Sequence, residues 1–427
     1  MAHIAILTIG AHGHINPTID LVAEAVARGH RVTYCVPGGF GSAAETAGAQ
    51  LLSYDSLLVS RPAGPPTRPG TKPIDTPTPT PTAAEFAAYL PFILLAETKQ
   101  VLPQLLHAFA DDIPDVLLYD RTAYATGRVL GEMWGRSSIE AFASFAYNEH
   151  FSLAAVTRQQ SVLDPDHHGY RALADQLAEL ATDTRTTPLT VDDFVLGRTG
   201  TAIAFLPRGF QYAGDTFGPG YNFVGPCLRT RLAASTRTCA PVEVYASLGT
   251  AFTDRPEVYA AITAALGQID GRSLLSMGST EHDQIVANTG DDRIEIRPFV
   301  DQLAALAAAR VFVTHAGMGG VMEALYFGVP LVCLPQTTEQ QTVARRVAEL
   351  GLGIELGADA PTPSDLHAAI ESARTDPRIR SNVRAMRDIV RATGGATAAI
   401  DHIQRVLETT PRSAGDPFQA TTSVAVH

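Results

Sequence analysis

The chain has 427 residues, of which 45% are hydrophobic and 18% charged, a composition typical of a globular protein with two or three domains. A formal net charge of -12 argues against nucleic acid or an anionic membrane as the main partner. We expect a cytoplasmic protein, because the sequence shows neither a signal-peptide pattern nor an apolar run of about 18 residues. The four cysteines form no CxxC pair and predict neither a zinc site nor a disulfide framework.

Short apolar runs alternate with helical patterns along the first half of the chain. The run 3–9 predicts a buried strand, and Asn16 followed by Pro17 predicts the start of a helix. Further strands are predicted at 31–36, 50–54 and 115–119, and helices at 15–28, 84–110 and 124–133. This alternation predicts a parallel sheet covered by helices on both faces.

The second half repeats the same pattern. Strands are predicted at 242–246, 273–277, 311–314 and 331–334, and helices at 257–266, 302–309, 320–327 and 339–350. The Pro-rich segment 61–82 predicts either a solvated connector or a lid over a substrate pocket. Two open parallel sheets would place ligands at the carboxyl ends of their strands, where the two crevices can face each other.

A glycine-rich segment, 314–323, follows one predicted strand and opens a helix. Its glycines allow a ligand to approach the backbone, and the helix start offers unpaired amides that suit a diphosphate. His315 could donate a further hydrogen bond to a phosphate oxygen, and Glu323 could accept both hydroxyls of a ribose. The alternative is a glycine-rich turn that only packs a helix against the sheet.

Two other strand ends carry polar residues. The run 247–250 places small hydroxyl residues and a glycine after a strand, where they could bind phosphate or form an ordinary turn. The run 335–340 ends in Glu339 and Gln340, which could grip the hydroxyls of a sugar ring or cap the next helix.

The segment 10–17 carries His12 and His14 after the first strand but lacks the GxGxxG fingerprint of dinucleotide-binding folds. Without a third ligand cluster nearby, a base is favoured over a metal site. Asp120 ends the predicted strand 115–119 and would emerge at the same sheet edge as His14, where a carboxylate could orient the ring. The alternative is two surface histidines at the start of a helix.

Together these motifs resemble the UDP-glycosyltransferase superfamily, and within it the macrolide glycosyltransferases of antibiotic-producing bacteria. The resemblance rests on AHGHINP, on 206–215, on YNFVGP, on SLGTAF and on VTHAGMGGVMEAL. It implies an α/β protein of the GT-B fold, in which two Rossmann-like domains with doubly wound parallel sheets face a deep cleft. Acceptor binding is then expected in the N-terminal half and nucleotide-sugar binding in the C-terminal half.

The implied domain limits follow the chain. Residues 1–218 would form the acceptor domain, 219–241 the interdomain linker and 242–395 the donor domain. Residues 396–410 would form a helix that crosses back to the N-terminal domain, and 411–427 a disordered tail.

The resemblance also implies roles for individual residues of this chain, according to their positions in the motifs. His14 rather than His12 matches the catalytic base, and Asp120 matches the aspartate that orients it. Phe299 stands where the family usually has a tryptophan that stacks on uracil, and Gly320 where many relatives carry a serine. The implied nucleotide-sugar site consists of Ser247, Gly249, Thr250, Phe299, Val300, Gln302, His315, Gly317, Gly319, Gly320, Glu323, Glu339 and Gln340.

The implied reaction is an inverting, metal-free transfer of a hexose, with glucose from UDP-glucose preferred, to a hydroxyl of a hydrophobic molecule such as a macrolide or polyphenol. A dTDP-deoxysugar donor in natural-product biosynthesis is the alternative, and a non-catalytic helper or an NAD(P)-dependent oxidoreductase would be a different class. Aromatic residues that could line an acceptor pocket, or simply fill the core, are Phe86, Phe92, Phe142 and Tyr147. We expect a monomer or homodimer without cofactor.

Overall fold

The computed structural model describes residues 1–59, 83–156, 166, 168–197, 200–235, 239–249, 255–278, 291–357 and 361–409. Within 83–156, side chains are described from residue 90 onward, apart from those of 154 and 155. The Pro-rich segment 61–82 and the tail 411–427 lie outside the described residues, as do Thr250 and the side chain of Phe86. The predictions made for them stay predictions.

The first half of the chain forms a seven-stranded parallel sheet in the order β3-β2-β1-β4-β5-β6-β7. Its strands are β1 His3–Leu7, β2 Arg31–Pro37, β3 Gln50–Tyr54, β4 Val116–Asp120, β5 Ser137–Phe142, β6 Ala202–Ala204 and β7 Tyr221–Phe223. The helices of this half are α1 His12–Ala27, α2 Ser42–Thr46, α3 Ala83–Ala108, α4 Tyr124–Trp134, α5 Leu153–Val156, α6 His168–Thr184, α7 Val191–Leu196 and α8 Arg229–Ala234.

The second half forms a six-stranded parallel sheet in the order β10-β9-β8-β11-β12-β13. Its strands are β8 Val242–Ser247, β9 Ser273–Ser276, β10 Ile294–Arg297, β11 Ala309–Thr314, β12 Leu331–Cys333 and β13 Gly353–Glu355. The helices are α9 Pro256–Leu266, α10 Gln302–Ala308, α11 Met318–Phe327, α12 Thr338–Glu349, α13 Pro363–Thr375, α14 Pro377–Ala392 and α15 Gly395–Thr409.

Both sheets are doubly wound, as predicted. Central strands such as β1 and β4 are buried along their whole length, which is why they read as continuous apolar runs rather than as alternating ones. The strand order reverses between β1 and β4 in the first sheet and between β8 and β11 in the second. A ligand crevice opens at such reversal points, beyond the carboxyl ends of the strands.

Helix α1 corrects the predicted helix start at Asn16. The helix begins at His12, its N-cap is Ala11 with an extended backbone, and Pro17 lies inside the helix. Pro17 is the sixth residue of the helix, and the N–H that it lacks would otherwise have bonded to the carbonyl of Gly13. His14 therefore projects from the first turn of a helix rather than from a loop.

The predicted linker 219–241 starts too early. Residues Tyr221–Phe223 form β7, the edge strand of the first sheet, which pairs in parallel with Ala202–Ala204. Two strands of three residues are too short to show a periodicity in the sequence. The short helix α8 follows this strand.

Helix α15 packs against α1 and against β5 and β7 of the first sheet. An ion pair between Arg28 of α1 and Asp401 of α15, at 2.6 Å, ties the two helices together. The end of the chain that the structure describes is thus seated on the sheet formed by its beginning.

No helix among the described residues combines the length and apolar character that crossing a membrane requires.

Candidate active site

The first part of the site is a histidine–aspartate pair at the centre of the first sheet. Because β1 and β4 are parallel neighbours, the start of α1 and the end of β4 meet at one edge. The Nδ1 atom of His14 lies 2.7 Å from Oδ2 of Asp120. The other oxygen of Asp120 accepts hydrogen bonds from the backbone N and the hydroxyl of Thr122. The aspartate is therefore held from both sides.

Burial and charge act in opposite directions on this pair. Desolvation disfavours the protonated imidazole of His14, but the Asp120 carboxylate, with a smaller contribution from Glu339, raises the pKa of His14 above 6.5 overall. Burial likewise disfavours the ionised Asp120, yet the attraction of His14 and the hydrogen bonds from Thr122 lower its pKa. The His14 side chain is 31% exposed while Asp120 is 5% exposed, so the histidine faces the crevice and the aspartate stands behind it.

The second part of the site lies at the equivalent edge of the second sheet. Ser247 ends β8 and His315 follows β11, and the two strands are paired through Thr314 and Ser247. The His315 ring fits between two glycines: a Cβ on Gly249 would lie 2.7 Å from the ring, and one on Gly317 would lie 2.6 Å from it. Glycine is required at both positions because any side chain would displace the imidazole.

His315 differs from His14 in its charge state. Burial lowers its pKa to about 4, and a hydrogen bond with the backbone of Ser247 offsets this only in part. The imidazole is therefore neutral near pH 7. At this position it offers a hydrogen bond to a ligand rather than a positive charge.

The turn between β11 and α11 brings backbone amides to the same place. Ala316 takes a left-handed conformation with φ of 62°, and Gly317 then forms the N-cap of α11 without any side-chain cap. The amides of the first turn, which includes Gly319 and Gly320, are left for a ligand. An uncapped helix start of this kind attracts anions.

Glu323 lies in the second turn of α11 and is 6% exposed. Its Oε1 is paired with Nη1 of Arg231 from α8, and its Oε2 accepts a hydrogen bond from Nε2 of Gln302 at 2.5 Å. Gln302 is itself held, because the hydroxyl of Tyr245 lies 3.4 Å from its Oε1. The structure thus brings together the predicted residues Glu323 and Gln302. It adds Arg231, which sequence reasoning missed.

The remaining predicted donor residues have distinct positions. Phe299, at the end of β10, is 67% exposed and free to stack on a flat ligand, whereas Val300 is partly buried and packs on the core. Glu339 is exposed in the first turn of α12. The Oε1 of Gln340 accepts from the backbone N of Thr337 as part of a capping box, so the capping alternative holds for this oxygen.

The predicted acceptor residues separate into two groups. Phe142 is 1% exposed at the end of β5 and packs in the core, which leaves no surface of it for a ligand. Tyr147 is partly buried, with its ring 5.5 Å from that of Phe142, and burial raises its pKa. It packs against an apolar cluster that contains residues of both halves, whereas Phe92 of α3 packs on the core of the first half.

Within the described ranges, no group of three or more His, Cys, Asp or Glu side chains is arranged to hold a metal ion.

Comparisons with known proteins agree with this geometry. Residues 239–392 match the family model described as "UDP-glucoronosyl and UDP-glucosyl transferase". The chain is 34% identical to the NDP-glycosyltransferase YjiC of Bacillus licheniformis, over 95% of this chain and 98% of that protein. It is 33% identical to the demethyllactenocin mycarosyltransferase of Streptomyces fradiae, over 95% of this chain and 87% of the relative. The solved structure of the glycotransferase of kitacinnamycin superimposes with a TM-score of 0.79 at 30% identity, covering 95% and 98% of the two chains.

Two doubly wound parallel sheets, together with the similarity to a solved glycosyltransferase, define a glycosyltransferase of the GT-B fold. The chain belongs to the UDP-glucoronosyl and UDP-glucosyl transferase family. The predicted resemblance to antibiotic-type enzymes of this fold is confirmed.

Proposed function

We propose that this enzyme transfers a hexose, with inversion, from a uridine diphosphate sugar to a hydroxyl group of a hydrophobic small molecule. Glucose is the proposed sugar, and macrolides and polyphenols are the proposed acceptor classes. The observation that carries the proposal is the 2.7 Å contact between His14 and Asp120, set at the sheet edge opposite an amide-rich helix start.

The acceptor side supplies the base. With Nδ1 of His14 bound to Asp120, the proton-free Nε2 is the nitrogen turned to an acceptor hydroxyl. Nε2 takes the proton as the hydroxyl oxygen attacks the anomeric carbon, and Asp120 balances the new positive charge. Base assistance of this kind is typically worth roughly 10²–10⁴ in rate.

The donor side stabilises the leaving group. As the bond between the anomeric carbon and the phosphate oxygen breaks, negative charge develops on the diphosphate. We propose that this charge is stabilised by the amides at 317–320, the His315 ring and the Ser247 hydroxyl. Thr250 is given the same role from its position in the chain. Because these groups are neutral dipoles fixed in advance, we propose that no metal ion is required.

Other donor contacts are proposed at the nucleoside and the sugar. Phe299 would stack on the base, with Val300 beside it, and Glu323 with Gln302 would bind the ribose hydroxyls. Glu339 and the amide nitrogen of Gln340 would bind the hydroxyls of the sugar. Attack from the His14 side and departure toward α11 place nucleophile and leaving group on opposite faces, so the anomeric configuration inverts.

Two observations bear on the acceptor. Tyr147 packs against a cluster that contains residues of both halves and is a proposed wall of the acceptor pocket, with Phe86 and Phe92 on α3 as further candidates. The 33% identical relative is named for mycarosyl transfer to demethyllactenocin, and the 30% identical structure for kitacinnamycin. A natural product is therefore the acceptor that we propose.

A biosynthetic enzyme that uses a dTDP-deoxysugar is the second candidate, and the mycarosyltransferase relative favours it. The two candidates differ only in donor. A non-catalytic helper protein would have no reason to keep the His14–Asp120 contact, which argues against that class.

Incubation with UDP-glucose and dTDP-glucose, each against a mixed panel of macrolides and polyphenols and read by mass, tests the proposal. A mass gain of one hexose with UDP-glucose, a β-linked product from the α-linked donor, and full activity in the presence of a chelator are the expected results. Transfer from dTDP-glucose alone would favour the second candidate, and no transfer by a protein that binds the donors would favour a helper.

A further inference from the structure

The short helix α8 lies between the two halves of the molecule and contacts both. On one side its backbone N of Thr230 donates to Oδ1 of Asp20 in α1 at 2.7 Å, and Arg229 pairs with Glu24 of the same helix. On the other side Arg231 pairs with Glu323 of α11. The segment that connects the two sheets therefore also supplies a cation to the donor half.

The pair is largely sheltered from water. Glu323 is 6% exposed and Arg231 is 26% exposed. A carboxylate removed from water requires a partner charge or hydrogen bonds, because its hydration is lost. Arg231 supplies the charge and the amide of Gln302 supplies the hydrogen bond.

The hydrogen-bonding capacity of Glu323 is only half used by these partners. An ionised carboxylate has about four acceptor sites, two on each oxygen. Arg231 takes one site on Oε1 and Gln302 takes one on Oε2. Among the residues that the structure describes, these are the partners of the carboxylate, so one acceptor site remains on each oxygen. Two neighbouring hydroxyl donors of a cis-diol require this pattern.

The two partners also prevent the carboxylate from turning. Gln302 starts α10, whose N-cap Asp301 accepts a hydrogen bond from Ser235, the residue that follows α8, at 2.7 Å. Arg231 projects from α8 itself. Both groups that hold Glu323 are thus fixed relative to one another through the same short segment, 229–235.

We propose that Arg231 is a positioning residue for ribose recognition: it holds the Glu323 carboxylate oriented so that its two remaining acceptor sites read the 2′- and 3′-hydroxyls of the donor nucleotide. The interdomain segment thereby sets a preference for ribonucleotide over 2′-deoxyribonucleotide donors. This inference rests on the proposed donor site at Glu323 and extends it to a residue of α8.

The test compares the binding of UDP with that of 2′-deoxy-UDP, which differ by one hydroxyl, by calorimetry on the full chain. The wild-type protein is expected to bind UDP about tenfold more tightly, since a hydrogen bond to a charged group is worth ~1.5 kcal/mol or more. In Arg231→Met, which keeps the length of the side chain, UDP binding is expected to weaken about tenfold and the preference to fall below about threefold. Arg231→Lys keeps the charge and is expected to recover part of the preference.

Arg229→Met is the matched control. It removes the same charge from the same helix, but Arg229 is 64% exposed and pairs with Glu24 rather than with Glu323. Glu24 keeps Arg28 as a partner at 2.9 Å, and the Thr230 backbone contact still anchors α8. This variant is expected to keep the wild-type preference for UDP.

Transfer kinetics give an independent measurement. Loss of Arg231 is expected to raise KM for the nucleotide sugar while leaving kcat and the acceptor KM close to their wild-type values. An equal loss of affinity for UDP and 2′-deoxy-UDP in Arg231→Met, or a wild-type protein without preference between them, would overturn the inference. If Arg231→Met does not fold, the same comparison is made in Arg231→Lys, where an equal loss of affinity for UDP and 2′-deoxy-UDP would overturn the inference.

The proposed function and the role of Arg231 can be contradicted independently of each other. A wild-type protein that prefers UDP in the Arg231-dependent way but transfers no sugar would contradict the transferase proposal and leave the role of Arg231 intact. A protein that binds neither nucleotide would contradict both.

Discussion

Two histidines occupy equivalent places in the two halves of this molecule, each just beyond a central strand of a parallel sheet. His14 faces a buried carboxylate at 2.7 Å, and the pKa of its ring is raised. His315 is wedged between Gly249 and Gly317 and has a pKa near 4 because burial dominates. The same side chain is therefore prepared to accept a proton in one half and to remain a neutral donor in the other. Position in the topology brings a histidine to the crevice, but its neighbours decide its chemistry.

Removal of the proposed base is the strongest test of the difference between the two histidines. His14→Ala is expected to lower kcat by roughly 10²–10⁴-fold, because no other group takes the proton of the acceptor. Donor binding, measured separately by calorimetry, should stay near the wild-type value. His12→Ala is the control, since His12 lies two residues before His14, is exposed, and has its ring centroid 5.8 Å from that of Phe40. Equal losses in both variants would show that the segment matters only for folding.

Asp120→Asn tests whether the Asp120 carboxylate causes the difference in pKa between His14 and His315. The base must be neutral to act, so kcat/KM is expected to fall as the pH drops through the His14 pKa, which lies above 6.5. Removing the carboxylate lowers this pKa, so the acid limb should move to lower pH while the maximum rate falls by roughly 10²-fold, at the low end of the range for base catalysis. A pH profile with an unmoved acid limb would contradict the assigned pair.

His315→Ala is expected to reduce kcat/KM for the nucleotide sugar by roughly 10–100-fold, the loss of one hydrogen bond to a charged group. No titration of His315 should appear between pH 5 and 8, because its pKa of about 4 keeps it neutral there. The profile of the variant should therefore keep the acid limb of the wild type. A shifted limb would mean that His315, and not His14, sets the pH dependence.

Gly320→Ser is expected to have the smallest effect, and it should strengthen donor binding rather than weaken it. A Cβ at this position would meet its nearest neighbours, Gln302 and Phe312, at 3.7 Å, which is ordinary contact. The added hydroxyl is expected to tighten donor binding about threefold through one neutral hydrogen bond. Gly320→Ala gives a larger gain in helix propensity but adds no hydroxyl, so only the serine variant should bind the donor more tightly. Similar binding by both variants would show that no phosphate oxygen lies near.

Much of the fold could be predicted because it is encoded locally. The predicted strand 50–54 matches β3, and the helix predicted at 257–266 differs from α9 by one residue. The short strands β6 and β7 could not be predicted, because three residues carry no period. The start of α1 was also missed, since the sequence offered Asn16 as a cap whereas Ala11 caps the helix by its backbone alone.

The histidine and glycine motifs could be found in the sequence because each lies within one strand–turn–helix segment. That His14 and Asp120 meet followed from the parallel order of two strands, a rule of topology that holds without coordinates. Three features were decided only by contacts across more than 60 residues: the burial of His315 against Gly249, the core position of Phe142 beside Ala204 and the pairing of Arg231 with Glu323. Charge and burial depend on everything packed around a group, so the sequence determined which residues reach the site while the tertiary structure decided how each one is ionised and held.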